Sequence, residues 1–477
     1  MIKSANKLNA FTFTTLFADT LSDFMDNLQN QLTQIMTQLQ LEDAPVGGAV
    51  VVYHKGQLVA QASVGQATPR LSWNKDRLGL NFSTGKGVLV TLVHILVSNK
   101  ILAYDQPISQ YWPEFAANGK QQITLRQVLT HRSGLFNIQA ITDFAPELTD
   151  WQLMLQRVEQ MPPQATFNEQ AESAYSALVS GWVIGGLIEK ATNLSLNEAL
   201  QQYLTEPLGI SDSMYFGVPA DKIGEVGTVA SNFDDFDTVM GLVEADAINE
   251  DEADKAVKKR SAKPKLRSDS EATLAAYQSL PSYSCWQQLL GQKQSDAPLK
   301  TLQIANLYFD MSGVKMQDFK YALVPAGRSE FNYHTPESLM AKIPAANNVA
   351  SADALAKMYA MLANKGIWQG KRLIDESVFD ELSSVHVAGS DAIMPATHPQ
   401  SMHWRLGYHR IFSRCQPAEN LQYAFGHMGY NGSMAWCDTQ KQLAVAYVHN
   451  YDVTMTTDIR QFALIEAILA HFSKSID

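Results

Sequence analysis

The sequence predicts an α/β fold of the α+β kind, with an antiparallel sheet flanked by N- and C-terminal helices and a mostly helical second lobe. Three observations predict it. Helical spacing of apolar residues stands near each end of the chain. Each of those helices adjoins a pair of short strand-like runs. Most of the patterned sequence between them has helical periodicity.

The N-terminal helix is read from Leu21, Phe24, Met25, Leu28, Leu32, Ile35, Met36 and Leu39, a continuous amphipathic stripe. Pro45 and Gly47-Gly48 end it. Ala49–His54 reads as a buried strand, Lys55-Gly56 as a turn, and Gln57–Val64 as the antiparallel partner. A helix then begins near Ser83, with Val88, Leu89, Leu92, Val93 and Leu96 as its apolar face. A short helix over Ile123–Leu135 is capped at Thr124 and stopped at Gly134. Another covers Tyr175–Thr192, and Pro207-Leu208-Gly209 closes the helical lobe. From 223 to 320 the pattern decays. Glu244–Asp254 is acidic and Lys255–Arg267 basic, which reads as a solvated surface insertion, with Trp286 placed to pack over something. Order returns with a helix over Asp353–Asn364. Strands over Gly432–Asp438 and Gln442–His449 follow, and the last helix runs from Asp458 to Phe472.

Composition narrows the function classes. Apolar residues make up 46%, which excludes a disordered chain, and a formal net charge of −11 argues against nucleic acid as a main partner. Cys285, Cys415 and Cys437 are odd in number and widely spaced, so they are expected to be ordinary thiols with neither a disulfide framework nor a metal-type pair. No apolar run approaches the roughly 20 residues of a membrane helix. Lys3 and Lys7 precede Phe11–Ala18, but that run is short, broken by threonines and followed by Asp19. It reads as a poor signal peptide, so a cytoplasmic protein is expected, or a periplasmic one if the segment is a signal. There is no Gly-x-Ser-x-Gly elbow, His-Glu-x-x-His or Walker-type Gly-Lys-Ser/Thr. No cofactor or metal is expected.

The chemistry centres on Ser83-Thr84-Gly85-Lys86. Residues three apart share a helix face, so the Lys86 ammonium reaches the Ser83 hydroxyl. A serine hydroxyl is a weak nucleophile without a neighbouring base, and a buried lysine loses its proton readily. On spacing alone, Ser83 as a helix cap and Lys86 as a solvated charge is the simpler and favoured reading of the pattern. Two further stretches change the balance. Tyr175, in Ala174-Tyr175-Ser176-Ala177, supplies a phenol able to act as acid or base. His427-Met428-Gly429-Tyr430 precedes the final hairpin, where a small residue lets substrate lie along a strand and a backbone N–H can meet an oxyanion.

Taken in that order, these motifs resemble the serine β-lactamase and penicillin-binding-protein superfamily, and look closest to class C β-lactamases and family VIII carboxylesterases. Leu129-Thr130-His131-Arg132-Ser133-Gly134-Leu135 is similar to the superfamily's Leu-x-x-His-x-Ser-Gly-Leu. Tyr111–Phe115 with Ile123–Arg126, and Pro207-Leu208-Gly209, add to the likeness, which covers roughly 40–215 and 340–450. The resemblance implies a β-lactamase/transpeptidase-like fold. It implies one catalytic domain over 1–477, with an α/β lobe from about 40–80 and 340–477, a helical lobe from about 81–220, and the insertion. It also implies an acyl-serine mechanism on a small ester or amide. Ser83 would attack, Lys86 and Tyr175 would share the proton transfers in an order left open, and the backbone N–H groups of Ser83 and Tyr430 would hold the oxyanion, beside His427 and Gly429.

Two departures favour an ester over a β-lactam. Ala177 stands where β-lactamases carry the amide of Tyr-x-Asn, and His427-Met428-Gly429 stands for Lys-Thr-Gly. The first expectation is therefore an esterase. The alternatives are a β-lactamase or D-alanyl-D-alanine carboxypeptidase-like peptidase, and a catalytically silent ligand-binding relative. His131 and Arg132 are expected to hold a loop, and His94 and His471 to serve packing.

Overall fold

The computed structural model describes residues 25–40, 45–164, 172–242, 269–293, 297–309, 314–327, 331–394 and 402–473. The Phe11–Ala18 run and the acidic and basic blocks of the insertion lie outside the described residues. No helix among the described residues is long and apolar enough to cross a membrane.

At the centre is a six-stranded antiparallel sheet. Strand β1 (Gly48–His54) pairs with β2 (Gln57–Val64) through a turn whose residues Lys55 and Gly56 have φ of 52° and 75°. Strands β3 (His409–Arg410), β4 (Ala424–Met428), β5 (Met434–Asp438) and β6 (Leu443–His449) come late in the chain, and the order across the sheet is β3-β4-β5-β6-β1-β2. Sequence from the two ends thus meets mid-sheet, with Ala49 opposite Val448 and Val52 opposite Val445. Strands β3 and β4 escape sequence reading because β4 is a short run buried at every residue, with no polar alternation to mark it.

Both faces of β1 are covered. Ala49, Val51 and Tyr53 pack into one core with the helices Thr84–Ser98, Val179–Thr192 and Ala352–Ala363. Val50 and Val52 point the other way, toward Leu28, Leu32 and Ile35 of the helix over 25–38 and Phe462, Ile465 and Leu469 of the helix Arg460–Ser473.

The insertion packs on that second face. Its helices include Glu271–Gln278, Tyr283–Leu289 and Thr301–Tyr308. Tyr308 stacks on Phe462 at 3.9 Å between ring centroids. Trp286 Nε1 donates to the Tyr308 hydroxyl (2.7 Å), which donates to Glu466 (2.8 Å). Glu466 also accepts from Ser413 Oγ and the Arg414 and Cys415 backbone N–H groups, so it is a buried, fully bonded carboxylate. Burial raises its pKa. A disulfide joins Cys285 to Cys415, with Cα atoms 5.9 Å apart. This corrects the expectation of three ordinary thiols; Cys437 alone is free, and it is buried. The bonded pair lies 130 residues apart, and only the docking of the insertion brings it together.

Two helices are shorter than their spacing suggests. The Thr124 helix, with a capping box to Gln127, is Leu125–Leu129 and stops before His131, whose φ is 56°. The next begins only at Val179, so Tyr175 sits on an irregular segment ahead of it.

Candidate active site

Ser83 stands at the N-terminus of the helix Thr84–Ser98 and is partly exposed. The short strand Leu78–Leu80 delivers it, paired with Asn348–Ser351. Asn81 Nδ2 donates to the carbonyls of Gly79 (2.9 Å) and Ala350 (3.2 Å), fixing the bend. Phe82 takes φ of 46°, a left-handed conformation that bulky residues adopt rarely. Gly85 lets the first helical turn press on its neighbour, since a Cβ there would lie 2.1 Å from Asn348 Cβ.

Lys86 is only 4% exposed. Its Nζ lies 2.9 Å from Ser83 Oγ and donates to the Ala345 carbonyl at 2.7 Å. Burial holds its pKa well below the ordinary lysine value, because no carboxylate among the described residues pairs with it. Lys86 is therefore not the solvated charge that spacing alone allows.

Tyr175 comes in from the other side, and its hydroxyl donates to Ser83 Oγ at 3.1 Å. Lys86 Nζ sits 5.1 Å from the centre of its ring. Burial raises the pKa of this phenol, so it is a neutral hydroxyl at ordinary pH. Three residues hold it. The Trp404 indole stacks on the ring at 5.4 Å and 12°. His131 packs edge-on at 5.0 Å, and its Nδ1 accepts the Ser176 N–H. Asp391 accepts five hydrogen bonds: from the Tyr175, Ile393 and Met394 backbones on Oδ1, and from Ser173 Oγ and Trp404 Nε1 on Oδ2. Asp391 and Trp404 are the residues that sequence reading missed. Both lie more than two hundred positions from Tyr175, and no local pattern marks either.

The third stretch forms the opposite wall. His427 lies on β4, and burial lowers its pKa well below 6.5, with the neighbouring His409 and Lys86 acting in the same direction. Its Nε2 has no hydrogen-bond partner. His409 Nδ1 bonds the Arg410 carbonyl and its Nε2 accepts the Met428 N–H at 3.1 Å, so the proton sits on Nδ1. Gly429 donates to the Ser433 carbonyl at 2.7 Å, and a Cβ there would lie 2.5 Å from the Asn81 carbonyl oxygen. Tyr430 is fixed by the Met455 N–H, which donates to its carbonyl at 2.7 Å. The backbone N–H groups of Ser83 and Tyr430 meet no acceptor among the described residues. A cavity of about 350 Å³ opens beside Phe82 and Tyr430, with His334, Tyr451 and Val453 on its walls.

The structure brings Ser83, Lys86 and Tyr175 into hydrogen-bonding contact. It sets His427 against them, its ring centre 6.4 Å from that of Tyr175. Gly429 and Tyr430 continue the same wall. Arg132 takes no part in these contacts, and His94 bridges Tyr104 and the Leu406 carbonyl inside the core.

The family model described as Beta-lactamase matches residues 28–470. The chain is 28% identical over 410 residues to the esterase/beta-lactamase LipL of Mycobacterium tuberculosis, covering 85% of this chain and 77% of that one. Among solved structures, a penicillin-binding-protein homologue from Caulobacter crescentus aligns with a TM-score of 0.62 at 22% identity, over 93% of this chain and 97% of its own. A family VIII carboxylesterase aligns with a TM-score of 0.61 at 22% identity, over the same shares. These likenesses agree with the fold expected from the sequence, and the chain belongs to the beta-lactamase family of serine hydrolases.

Proposed function

We propose that this enzyme hydrolyses small carboxylic esters through an acyl intermediate on Ser83. The observation that carries this reading is a nucleophile flanked by two hydrogen-bonding groups, with the buried His427 rather than a lysine on the facing strand. Burial disfavours the charged form of both, holding Lys86 well below the ordinary lysine value and His427 well below 6.5. A β-lactam carries a carboxylate that needs a cation, whereas a simple ester does not.

The same geometry supports an order of proton transfers. Lys86, in its unprotonated form, takes the Ser83 proton as Oγ attacks the carbonyl carbon. The Ser83 and Tyr430 N–H groups receive the developing oxyanion, each such donor being worth about 3 kcal/mol. As the C–O bond to the alcohol breaks, Tyr175 gives its proton to the leaving oxygen and regains one from Lys86. Water then attacks the acyl carbon by the reverse relay and frees Ser83. The cavity beside Phe82 and Tyr430 offers room for one arm of a small substrate.

The name of the mycobacterial relative couples esterase with β-lactamase, so β-lactam hydrolysis is the second reading. A panel of p-nitrophenyl esters of graded chain length, run beside nitrocefin on the wild type and Ser83→Ala, separates the readings. Ester turnover that needs Ser83 and exceeds nitrocefin turnover supports the proposal. The reverse ranking favours the β-lactamase or peptidase, and no turnover of either favours a silent binding relative.

A further inference from the structure

Beyond Phe82 and Tyr430, the cavity of about 350 Å³ runs onto the segment that follows β6 and carries Asp452. The Tyr451 N–H donates to His449 Nδ1 at 3.1 Å, and the Met455 N–H donates to the Tyr430 carbonyl at 2.7 Å. The backbone on either side of Asp452 is thus tied down, on one side to Tyr430 itself. Asp452 is exposed, and its carboxylate makes no hydrogen bond or ion pair among the described residues. Among the described residues that line the cavity it is the one carboxylate, and there is no lysine or arginine.

An exposed carboxylate on a loop is by itself a solvated charge. The surroundings of Asp452 set it apart. Burial holds the two imidazoles of the cavity, His334 and His449, below 6.5, with Asp452 acting in the opposite direction on His334. At neutral pH neither answers the carboxylate with a full charge. Arg460, whose guanidinium lies 3.8 Å from the Tyr451 ring centre, does not line the cavity and pairs with Asp458 at 3.1 Å. The walls are aromatic. The Phe82 ring centre lies 6.3 Å from that of Tyr430 and 6.1 Å from that of His334, and Tyr430 is 44% exposed. An aromatic face attracts a cation through its quadrupole, and quaternary ammonium groups are held in this way. The formal net charge of −11 adds a general attraction for cations. Phe82 directly precedes Ser83, so a group held here belongs to a molecule within reach of the nucleophile.

We propose that this cavity takes an ammonium-bearing arm of the ester substrate, with Asp452 as its counter-charge and Phe82 and Tyr430 as its aromatic walls. The site then selects cationic esters over uncharged ones of the same shape. The substrate class rests on ester hydrolysis at Ser83; cation binding in the cavity does not.

The test is kcat/KM of the full chain for two isosteric pairs, with the wild type and with Asp452→Asn. One pair carries the charge on the acyl arm: p-nitrophenyl trimethylammoniobutyrate and its tert-butyl isostere, in which carbon replaces the nitrogen. The other carries it on the alcohol arm: acetylcholine and its tert-butyl isostere. Charged and uncharged esters differ in intrinsic reactivity, so the change in their ratio between the two proteins carries the result. In at least one pair the ratio of charged to uncharged ester is expected to fall about tenfold in Asp452→Asn, while the uncharged esters stay within about twofold. The pair that responds identifies the arm. Saturation-transfer NMR of choline reads the cavity without turnover, and a saturable signal with the wild type is expected to be lost in Asp452→Asn. An unchanged ratio in both pairs overturns the proposal, and turnover of the uncharged esters would then leave ester hydrolysis standing. If none of the four esters is hydrolysed, the ester reading fails on its own and choline decides the cation site: loss of binding in Asp452→Asn supports it, and no binding or equal binding overturns it.

Discussion

Replacing Asp391 by asparagine tests how Tyr175 is held. The carboxylate receives five donors, and asparagine keeps one acceptor oxygen while presenting an NH₂ in place of the other. With the NH₂ at the Oδ2 position, the Ser173 hydroxyl can turn and accept, but the Trp404 indole N–H cannot. An orphaned buried donor costs about 1–3 kcal/mol. The remaining bonds fall from charge-assisted to neutral strength, roughly half. The expected loss of stability is about 2–4 kcal/mol, read by urea denaturation. The effect reaches the chemistry because Trp404 stacks on the Tyr175 ring and Asp391 holds the Tyr175 backbone. A displacement of about 1 Å at the reacting groups costs about 100-fold in rate. Turnover of a p-nitrophenyl ester is therefore expected to fall about 100-fold, mainly in kcat, with a matching drop in the rate of fluorophosphonate labelling. Wild-type stability together with wild-type kcat would refute the reasoning.

Other predictions follow from the same geometry. Because the base must be unprotonated, kcat/KM for ester hydrolysis is expected to fall on the acid side as Lys86 gains a proton, with an inflection well below the lysine value of 10.5; a profile that rises only above pH 10 contradicts a neutral Lys86. Stability is expected to fall on acidification for a separate reason. His94, His131 and His449 are held at about 3 and His409 at about 4, against 6.5 unfolded, so the unfolded chain binds more protons between those values and stability is lost as pH falls from 6.5 toward 4. One histidine held at about 4 contributes up to about 3 kcal/mol, and urea midpoints at pH 7 and pH 4.5 read the difference. Cys285→Ser removes a crosslink spanning 130 residues and is expected to cost about 2–4 kcal/mol, measured by guanidinium denaturation beside the wild type with and without reductant.

Much of the site was legible because its chemistry is local in sequence. Ser83 and Lys86 declare themselves by a three-residue interval on one helix, and the apolar face of that helix was visible in Val88, Leu92 and Leu96. The strands β1, β5 and β6 were legible because each is a compact apolar run bounded by turn residues, and β2 because it returns from the Lys55-Gly56 turn. What stayed hidden depends on contacts between distant positions. Tyr175 was found in sequence, but its support by Asp391 and Trp404 exists only once the segments around 173 and 391 lie side by side. The Cys285–Cys415 pair needed the insertion docked on the terminal helix. Glu466 reads as a polar break in an apolar face, yet it is a buried acceptor for donors from two other parts of the chain.

The proposal that Ser83 carries the acyl group is tested most directly by mass spectrometry of the intact protein, quenched during turnover of a slow p-nitrophenyl ester. The expected result is a mass increase equal to the acyl group, mapped by peptide digestion to Ser83 and absent from Ser83→Ala. An adduct on another residue, or full turnover by Ser83→Ala, would contradict it.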